Sequence, residues 1–259
     1  MKNIEFVAIP NLPKNKINCV IISKITSFTV KSSLKSMGIR QIDSYHFTNV
    51  PSGICTHSDL GIWHVGKDWW IASPESFSYY QKVLPENIRL SKGKKMVGSE
   101  YPSDVPYNAA QLYPYVFHNF KETDSAIIES IKALKLKPIQ IKQGYAKCNL
   151  CIVSRDAVIT EDAGIERIAR QLGLDVLKIP AGNISLKGYA YGFIGGATGL
   201  LAQDTLGITG IFENKKIENQ IKDFCKNHHV YIEHLDKGIP EDIGSILPVT
   251  EICISNSVK

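Results

Sequence analysis

The sequence predicts an α/β fold made of five strand–strand–helix–strand units, arranged as a five-bladed α/β propeller with pseudo-five-fold symmetry. Segments with the periodicity of an amphipathic helix begin at intervals of 39 to 53 residues along the 259-residue chain. Each of these segments stands between short apolar runs of strand character. No Pro/Gly/Ser-rich linker separates the units, so we expect a single domain over residues 1–259.

The fourth unit is the clearest of the five. "CNLCIVS" and "VIT" are predicted strands joined by the turn "RDA", and the helix "EDAGIERIARQLG" and the strand "LDVLKIP" follow. Gly173 stands directly after the predicted helix, as a C-cap does. The apolar residues of this helix fall on one face: Ile165, Ile168, Ala169 and Leu172.

The other units repeat this order. Their predicted helices are "TSFTVKSSLKSMG", "PESFSYYQKVLP", "ETDSAIIESIKALKLK" and "KKIENQIKDFCKNHH". The five predicted helix starts are Thr26, Pro74, Glu122, Glu161 and Asn214. A last short strand, "EICIS", would pair with the first unit and close the ring of sheets.

Composition sets limits on the function. The net charge is +5, and the lysines are scattered rather than concentrated on one run, so nucleic-acid binding is not expected. No segment has the length and apolarity of a membrane span or a secretory signal, and six cysteines in a chain of this size do not form a disulfide scaffold. We therefore expect a cytoplasmic protein that contacts no membrane and needs no cofactor or metal; the sequence leaves the oligomeric state open.

The stretch "YGFIGGATGL" contains Gly195 and Gly196. A dinucleotide-binding glycine loop comes directly before a helix, whereas a predicted hairpin follows these glycines. Phosphate binding is therefore excluded as the main interpretation. Two alternatives remain open: close backbone packing near the axis, or an approach to a bound ligand.

Together with the phrases "IVSRDAVITEDAGIERIARQLGLDVLKIPAGNISL" and "GFIGGATG", the five units resemble the penteins, the superfamily of guanidino-group-modifying enzymes. Its members include deiminases, dimethylarginine hydrolases, amidinotransferases and a non-catalytic ribosome-associated factor. The resemblance covers the whole chain and is greatest to a bacterial branch. It implies an H-x-D segment, which "HSD" at His57 and Asp59 is similar to, with the histidine and the carboxylate on one strand face.

The resemblance also implies a nucleophilic cysteine in a C-terminal glycine-rich loop, and here the sequence departs from the pattern. The loop is "DIGSILPVTE", with Leu247 or Pro248 in the place of the cysteine. Cys253 lies further on, in an apolar strand, and is interpreted as a core thiol. Cys148 is the substitute candidate, at the start of the inner strand of the fourth unit. Lys147 would lower its pKa if the two approached, although neighbouring strand residues face opposite ways.

The leading hypothesis is a central pocket that binds a small polar molecule, guanidino- or amino-acid-like, with amidinohydrolase- or amidinotransferase-like chemistry possible only through an unusual nucleophile. The candidate catalytic residues are His57, Asp59 and Cys148. The candidate ligand-binding residues are Asn108, Lys147, Asn149, Gly195, Gly196 and, at the rim, Ser245.

Two rival interpretations are kept. One is a non-catalytic module that docks on RNA or protein, with a flat basic face and a filled axis. The other is an unrelated fold with a parallel sheet, which would require the hairpin turns at Arg155–Asp156 and Gly66–Asp68 to be wrong.

Overall fold

The computed structural model describes residues 2–254; Met1 and residues 255–259 of the predicted domain, including the last residue of "EICIS", lie outside the described part. The first half of the chain forms β1 (Lys2–Phe6), β2 (Ile17–Ile22), α1 (Phe28–Ser36), β3 (Arg40–Asp43), β4 (Ile62–Gly66), β5 (Trp69–Ala72), α2 (Phe77–Val83), β6 (Arg89–Lys92), β7 (Ala110–Leu112), β8 (Tyr115–His118), α3 (Ser125–Ala133) and β9 (Lys137–Gln140). The second half forms α4 (Ala146–Asn149), β10 (Cys151–Ile152), β11 (Ala157–Thr160), α5 (Ala163–Gln171), β12 (Asp175–Lys178), β13 (Thr198–Ala202), β14 (Thr205–Ile208), α6 (Lys215–Asn227), β15 (Tyr231–His234) and β16 (Leu247–Ile254).

The strands form five small sheets in an α/β fold. In the sheets β4-β5-β6, β7-β8-β9, β10-β11-β12 and β13-β14-β15, the first two strands are antiparallel and the third is parallel to the second, which it reaches through a helix. The antiparallel pairs β4–β5 and β10–β11 confirm the two predicted hairpin turns, so the unrelated parallel-sheet interpretation is wrong.

The remaining sheet contains both ends of the described chain. Its order is β1-β16-β2-β3, with β16 antiparallel to both β1 and β2. The predicted pairing of the last strand with the first unit is confirmed. Two adjacent strands of this sheet therefore come from opposite ends of the sequence.

The helices begin one to three residues later than the sequence predicted, because the predicted starts include the capping residues. Ser27, Asp124, Asp162 and Asn214 each accept a hydrogen bond from a backbone N–H of the following turn. The helices pack their apolar faces on the sheets, where Ile165 of α5 and Ile221 of α6 are fully buried. None of the helices in residues 2–254 combines the length and the apolar character needed to cross a membrane.

The prediction was wrong at the start of the fourth unit. Ala146–Asn149 form one helical turn, α4, and β10 is limited to two residues. The reason is a tertiary contact: the side chain of Asn108, which precedes β7, accepts hydrogen bonds from the backbone N–H groups of Lys147 at 2.8 Å and Cys148 at 3.3 Å. These partners satisfy the backbone of a turn that the apolar sequence alone would place in a strand.

Candidate functional site

A pocket of about 250 Å³ has three chemically active residues in its lining: His57, Cys148 and Asp242. They come from distant parts of the chain, since His57 precedes β4, Cys148 lies in α4 and Asp242 precedes β16. A wider groove of about 1010 Å³ lies elsewhere and is lined by residues such as Lys14, Arg155 and His228. None of the candidate catalytic residues lines that groove, so size alone does not locate the site.

Cys148 is hydrogen-bonded to two of the predicted site residues. Its thiol donates to the Asp59 carboxylate, with Sγ 3.1 Å from Oδ2 and 3.3 Å from Oδ1. The Asn108 amide donates to Sγ from 3.3 Å. The sequence placed His57 and Asp59 on a strand, but both lie in the irregular segment before β4. The structure nevertheless brings His57, Asp59 and Cys148 together. Their proximity results from the tertiary fold and not from the alternation of side chains along a strand.

A buried polar chain continues from Asp59 away from Cys148. The Ser245 hydroxyl lies 2.8 Å from Asp59 Oδ2, and Lys147 Nζ donates to Ser245 Oγ from 2.9 Å. Ser245 was expected at the rim of the pocket, but it is completely buried. Ser245 has φ 76° and directly follows Gly244 at φ 70°, so two successive residues of this turn have left-handed backbone.

The electrostatics of this group follow from its burial. Burial raises the pKa of the Cys148 thiol well above its usual value, and the Asp59 and Asp242 carboxylates raise it further. Burial also raises the pKa of Asp59, an effect that His57 and Lys147 oppose. The pKa of Lys147 is lowered by burial and partly restored by Asp59. Lys147 is hydrogen-bonded to Ser245 rather than to the thiol, and the raised pKa favours the thiol form of Cys148.

His57 and Asp242 form the other side of the site. His57 Nδ1 lies 3.7 Å from Asp242 Oδ1, while its Nε2 is buried and has no hydrogen-bond partner among residues 2–254. Asp242 is held in place by backbone N–H groups of Phe193 and Gly244, each at 2.9 Å. The sequence analysis did not identify Asp242 as a site residue. Asp242 begins the loop "DIGSILPVTE" that was compared with the pentein cysteine loop, and this position could have indicated it.

The glycines of "YGFIGGATGL" serve close packing. A Cβ atom at Gly195 would meet the backbone carbonyls of Lys147 and Cys148, and one at Gly196 would meet the Asp242 carboxylate. Gly196 also donates its N–H to the Cys148 carbonyl at 2.8 Å and accepts from the Ser245 N–H at 2.8 Å. Of the two interpretations left open, backbone crowding is the one that this geometry supports, and the crowded residues are those of the site.

Asn149 does not line the pocket. Its side-chain oxygen accepts a hydrogen bond from the Thr160 hydroxyl at 2.9 Å, within its own unit. Because α4 is helical, consecutive residues here point in different directions, and Lys147, Cys148 and Asn149 reach three different environments. The sequence identified this cluster of residues, and the helical turn decides which of them meets the pocket.

The group also has the composition of a metal site. Ligand atoms of His57, Asp59 and Cys148 all lie within 4.8 Å of one another, a separation compatible with a shared metal ion. The sequence predicted no metal, and these three residues are not close neighbours in the sequence, since Cys148 is far from His57 and Asp59. A metal is therefore one occupant that experiments on this site must distinguish.

Solved structures of similar fold cover nearly the whole chain. An inosamine-phosphate amidinotransferase from Streptomyces griseus matches with a TM-score of 0.57 at 10% identity, covering 98% of both chains. The C. jejuni agmatine deiminase matches with a TM-score of 0.54 at 8% identity over 96% of both. An amidinotransferase of saxitoxin biosynthesis from Microseira wollei gives 0.53 at 13% identity, covering 90% of this chain and 92% of the other.

These identities establish the fold alone, and that fold is the one of the pentein superfamily. The chain belongs to the family described as "Family of unknown function (DUF6873)", whose model matches residues 21–247.

A second sequence similarity is partial. Over 119 residues, 45% of this chain, the protein is 30% identical to the β′ subunit of DNA-directed RNA polymerase from Prochlorococcus marinus subsp. pastoris. The match takes in 8% of that subunit, so the chain spans only a small part of the relative's length.

Proposed function

We propose that residues 1–259 form a single five-bladed pentein propeller built from five internal repeats, with the pocket at its axis. Three packing contacts support a ring of inner elements: β13 touches both β10 and β16, and α4 touches β7. The site residues support it too, because they come from segments that directly precede β4, β10 and β16.

The proposed ligand is a small planar cation of the guanidinium or amidinium type. Two carboxylates, Asp59 and Asp242, lie beside Cys148 and are nearly fully buried. Lys147 is hydrogen-bonded to Ser245, which is hydrogen-bonded to Asp59. Buried carboxylates in excess of buried cations are costly unless a cation joins them. A guanidinium carries several N–H donors in one plane and suits paired carboxylates.

Cys148 is the proposed nucleophile. A bound cation would oppose the effect of the two carboxylates and lower the pKa of the thiol, and Asp59 would accept the proton. The thiolate then forms an S–C bond to the central carbon, the C–N bond breaks, and the departing amine takes a proton from His57 or Asp59. Water hydrolyses the resulting S-amidino intermediate and regenerates the thiol; an acceptor amine in place of water would give transfer instead.

The rival binding-module interpretation predicts a filled axis and a flat basic face. A pocket whose lining includes a thiol, an imidazole and a carboxylate favours the small-molecule interpretation. The single observation that carries the proposal is the 3.1 Å contact between Cys148 Sγ and the Asp59 carboxylate at this pocket.

The test compares two electrophiles of similar shape, cationic 2-chloroacetamidine and neutral 2-chloroacetamide. The measured quantity is the rate of Cys148 labelling by the amidine divided by the rate of labelling by the amide. We expect this ratio to be at least about tenfold higher in the folded protein than in the unfolded chain. Peptide mass spectrometry locates the label, and EDTA in a parallel sample removes any metal. The Asp242→Asn variant should lose the preference, whereas Cys151→Ser, which changes a buried cysteine outside the pocket, should keep it.

Equal labelling by the two reagents would reject the cation site. Release of urea and amine from an alkylguanidine by the wild type, but not by Cys148→Ser, would separate turnover from binding alone. A preference that disappears with EDTA would assign the cluster to a metal.

A further inference from the structure

The outer half of the pocket is aromatic. Four rings belong to its lining: Tyr145, Tyr189, Tyr191 and Phe193. The Phe193 ring centroid lies 6.3 Å from that of Tyr145 and 6.0 Å from that of Tyr191, the latter pair edge-to-face at 79°. Tyr145, Phe193 and Tyr191 are therefore neighbouring rings in the same lining as His57, Cys148 and Asp242.

Two of these rings are unusually exposed. Tyr189 and Tyr191 each keep 42% of their surface accessible, although both belong to a segment that packs against the site. Exposed aromatic side chains grouped at the mouth of a pocket are typical of ligand contact rather than of core packing. An exposed tyrosine ring can pack against an apolar group of a ligand or lie next to a cationic one.

The carboxylate in the pocket lining is that of Asp242. Within residues 2–254, no lysine or arginine lines this pocket. The Tyr145 hydroxyl donates to Asp104, a carboxylate that is 2% exposed and whose Oδ1 has no partner in the same part of the chain. A substrate carboxylate placed here would meet no lysine or arginine of the lining and would share the pocket with the Asp242 carboxyl group.

We propose that the substrate carries an apolar, ring-sized substituent on its amidinium or guanidinium head and has no carboxylate. This rests on the cation site proposed above and refines it. The head lies among Asp242, Cys148 and His57, and the substituent lies against Tyr191 and Phe193. An arylalkyl guanidine fits both halves of the pocket; a free amino acid such as arginine fits only the inner half.

The test measures protection of Cys148 from 2-chloroacetamidine by benzylguanidine, agmatine, arginine and methylguanidine. We expect benzylguanidine to protect at concentrations about tenfold lower than agmatine, and agmatine to protect better than arginine. Tyr191→Ala should remove most of the advantage of benzylguanidine and leave methylguanidine protection unchanged. Tyr231→Ala is the matched control, since Tyr231 is 71% exposed in β15 and does not line the pocket.

The outcomes distinguish the two proposals. Arginine or agmatine protecting as well as benzylguanidine would overturn the aromatic specificity and leave the cation site intact. Protection by none of the four guanidines would overturn both. A Tyr191→Ala variant that loses protection by all four alike would show that the ring supports the pocket rather than recognises the substituent.

Discussion

At the scale of the residue, the site is a buried group in which charge is unevenly compensated. Cys148, Asp59 and Asp242 lie together, and Lys147 is separated from the thiol by Ser245 and Asp59. Burial raises the pKa of Asp59 and of the Cys148 thiol and lowers the pKa of Lys147, which favours the neutral form of all three. Substitution of one member should change the titration of the others.

Asp59→Asn should make Cys148 more acidic. The carboxylate is the largest cause, after burial, of the raised thiol pKa, and its removal takes away a negative neighbour. We expect the pH profile of labelling by neutral 2-chloroacetamide to shift to lower pH, while the preference for the cationic reagent falls. Asp156→Asn, in an exposed hairpin turn, should leave the profile in place. An unchanged or upward-shifted profile in Asp59→Asn would contradict this assignment.

Glu161 should make the folded state less stable as the pH rises. Burial raises the pKa of its carboxyl to about 8, although it accepts the Ile194 N–H at 3.2 Å. The folded state then holds a proton that the unfolded chain loses above its ordinary pKa, so stability decreases between about pH 5 and 8. Relative to Glu161→Gln, the wild type should lose roughly 1–3 kcal/mol of unfolding free energy over that range, measured by urea denaturation. Parallel curves for the two proteins would exclude this effect.

At the scale of the element, short irregular segments position the chemistry while the strands and helices provide the support. The turn α4 exists because Asn108 binds its backbone, and Gly195 and Gly196 allow the next segment to approach it. Strand and helix propensities contain no information about such contacts between units. The element boundaries near the site are for this reason the ones that sequence patterns placed least well.

Gly195→Ala should disturb both the fold and the site. The added Cβ would meet the carbonyls of Lys147, Cys148 and Leu150, which are backbone atoms and cannot move without moving α4. We expect a loss of roughly 1–3 kcal/mol of stability and a loss of the chloroacetamidine preference. Gly238→Ala is the control, since its nearest neighbour would be Asp236 Oδ1 at 3.7 Å. If both variants unfold at the same urea concentration, the crowding argument fails.

At the scale of the whole molecule, β16 joins the two ends of the described chain. It lies between β1 and β2 in the sheet and is the last strand within residues 2–254. Val249 in its middle is fully buried, and its carbonyl accepts the Val7 N–H at 3.1 Å. The first sheet is therefore incomplete until the last part of the chain is made.

A chain that ends at Ile246 should not fold cooperatively, because β2 would lose its antiparallel neighbour and β1 would lose β16, its sheet partner within residues 2–254. We expect no sigmoidal urea transition for it by circular dichroism. The full-length Val249→Ala variant, which keeps the strand and loses two buried methyl groups, should fold with a stability lower by about 1–3 kcal/mol. A truncated chain with the unfolding transition of the full-length protein would contradict the role of β16.

The sequence by itself determined the α/β class, the order of strands and helices, the last strand's partner and the pentein resemblance, because these follow from local periodicity and from nearly equal spacing along the chain. It also indicated His57, Asp59, Asn108, Lys147, Cys148 and Ser245 as site residues. Only the tertiary structure decided that Cys148 meets Asp59, that Ser245 is buried between Asp59 and Lys147, and that Asp242 and an aromatic mouth complete the pocket. Those contacts join residues up to 186 positions apart. Hydrophobic periodicity is a local property of the sequence and does not indicate which distant turns come into contact.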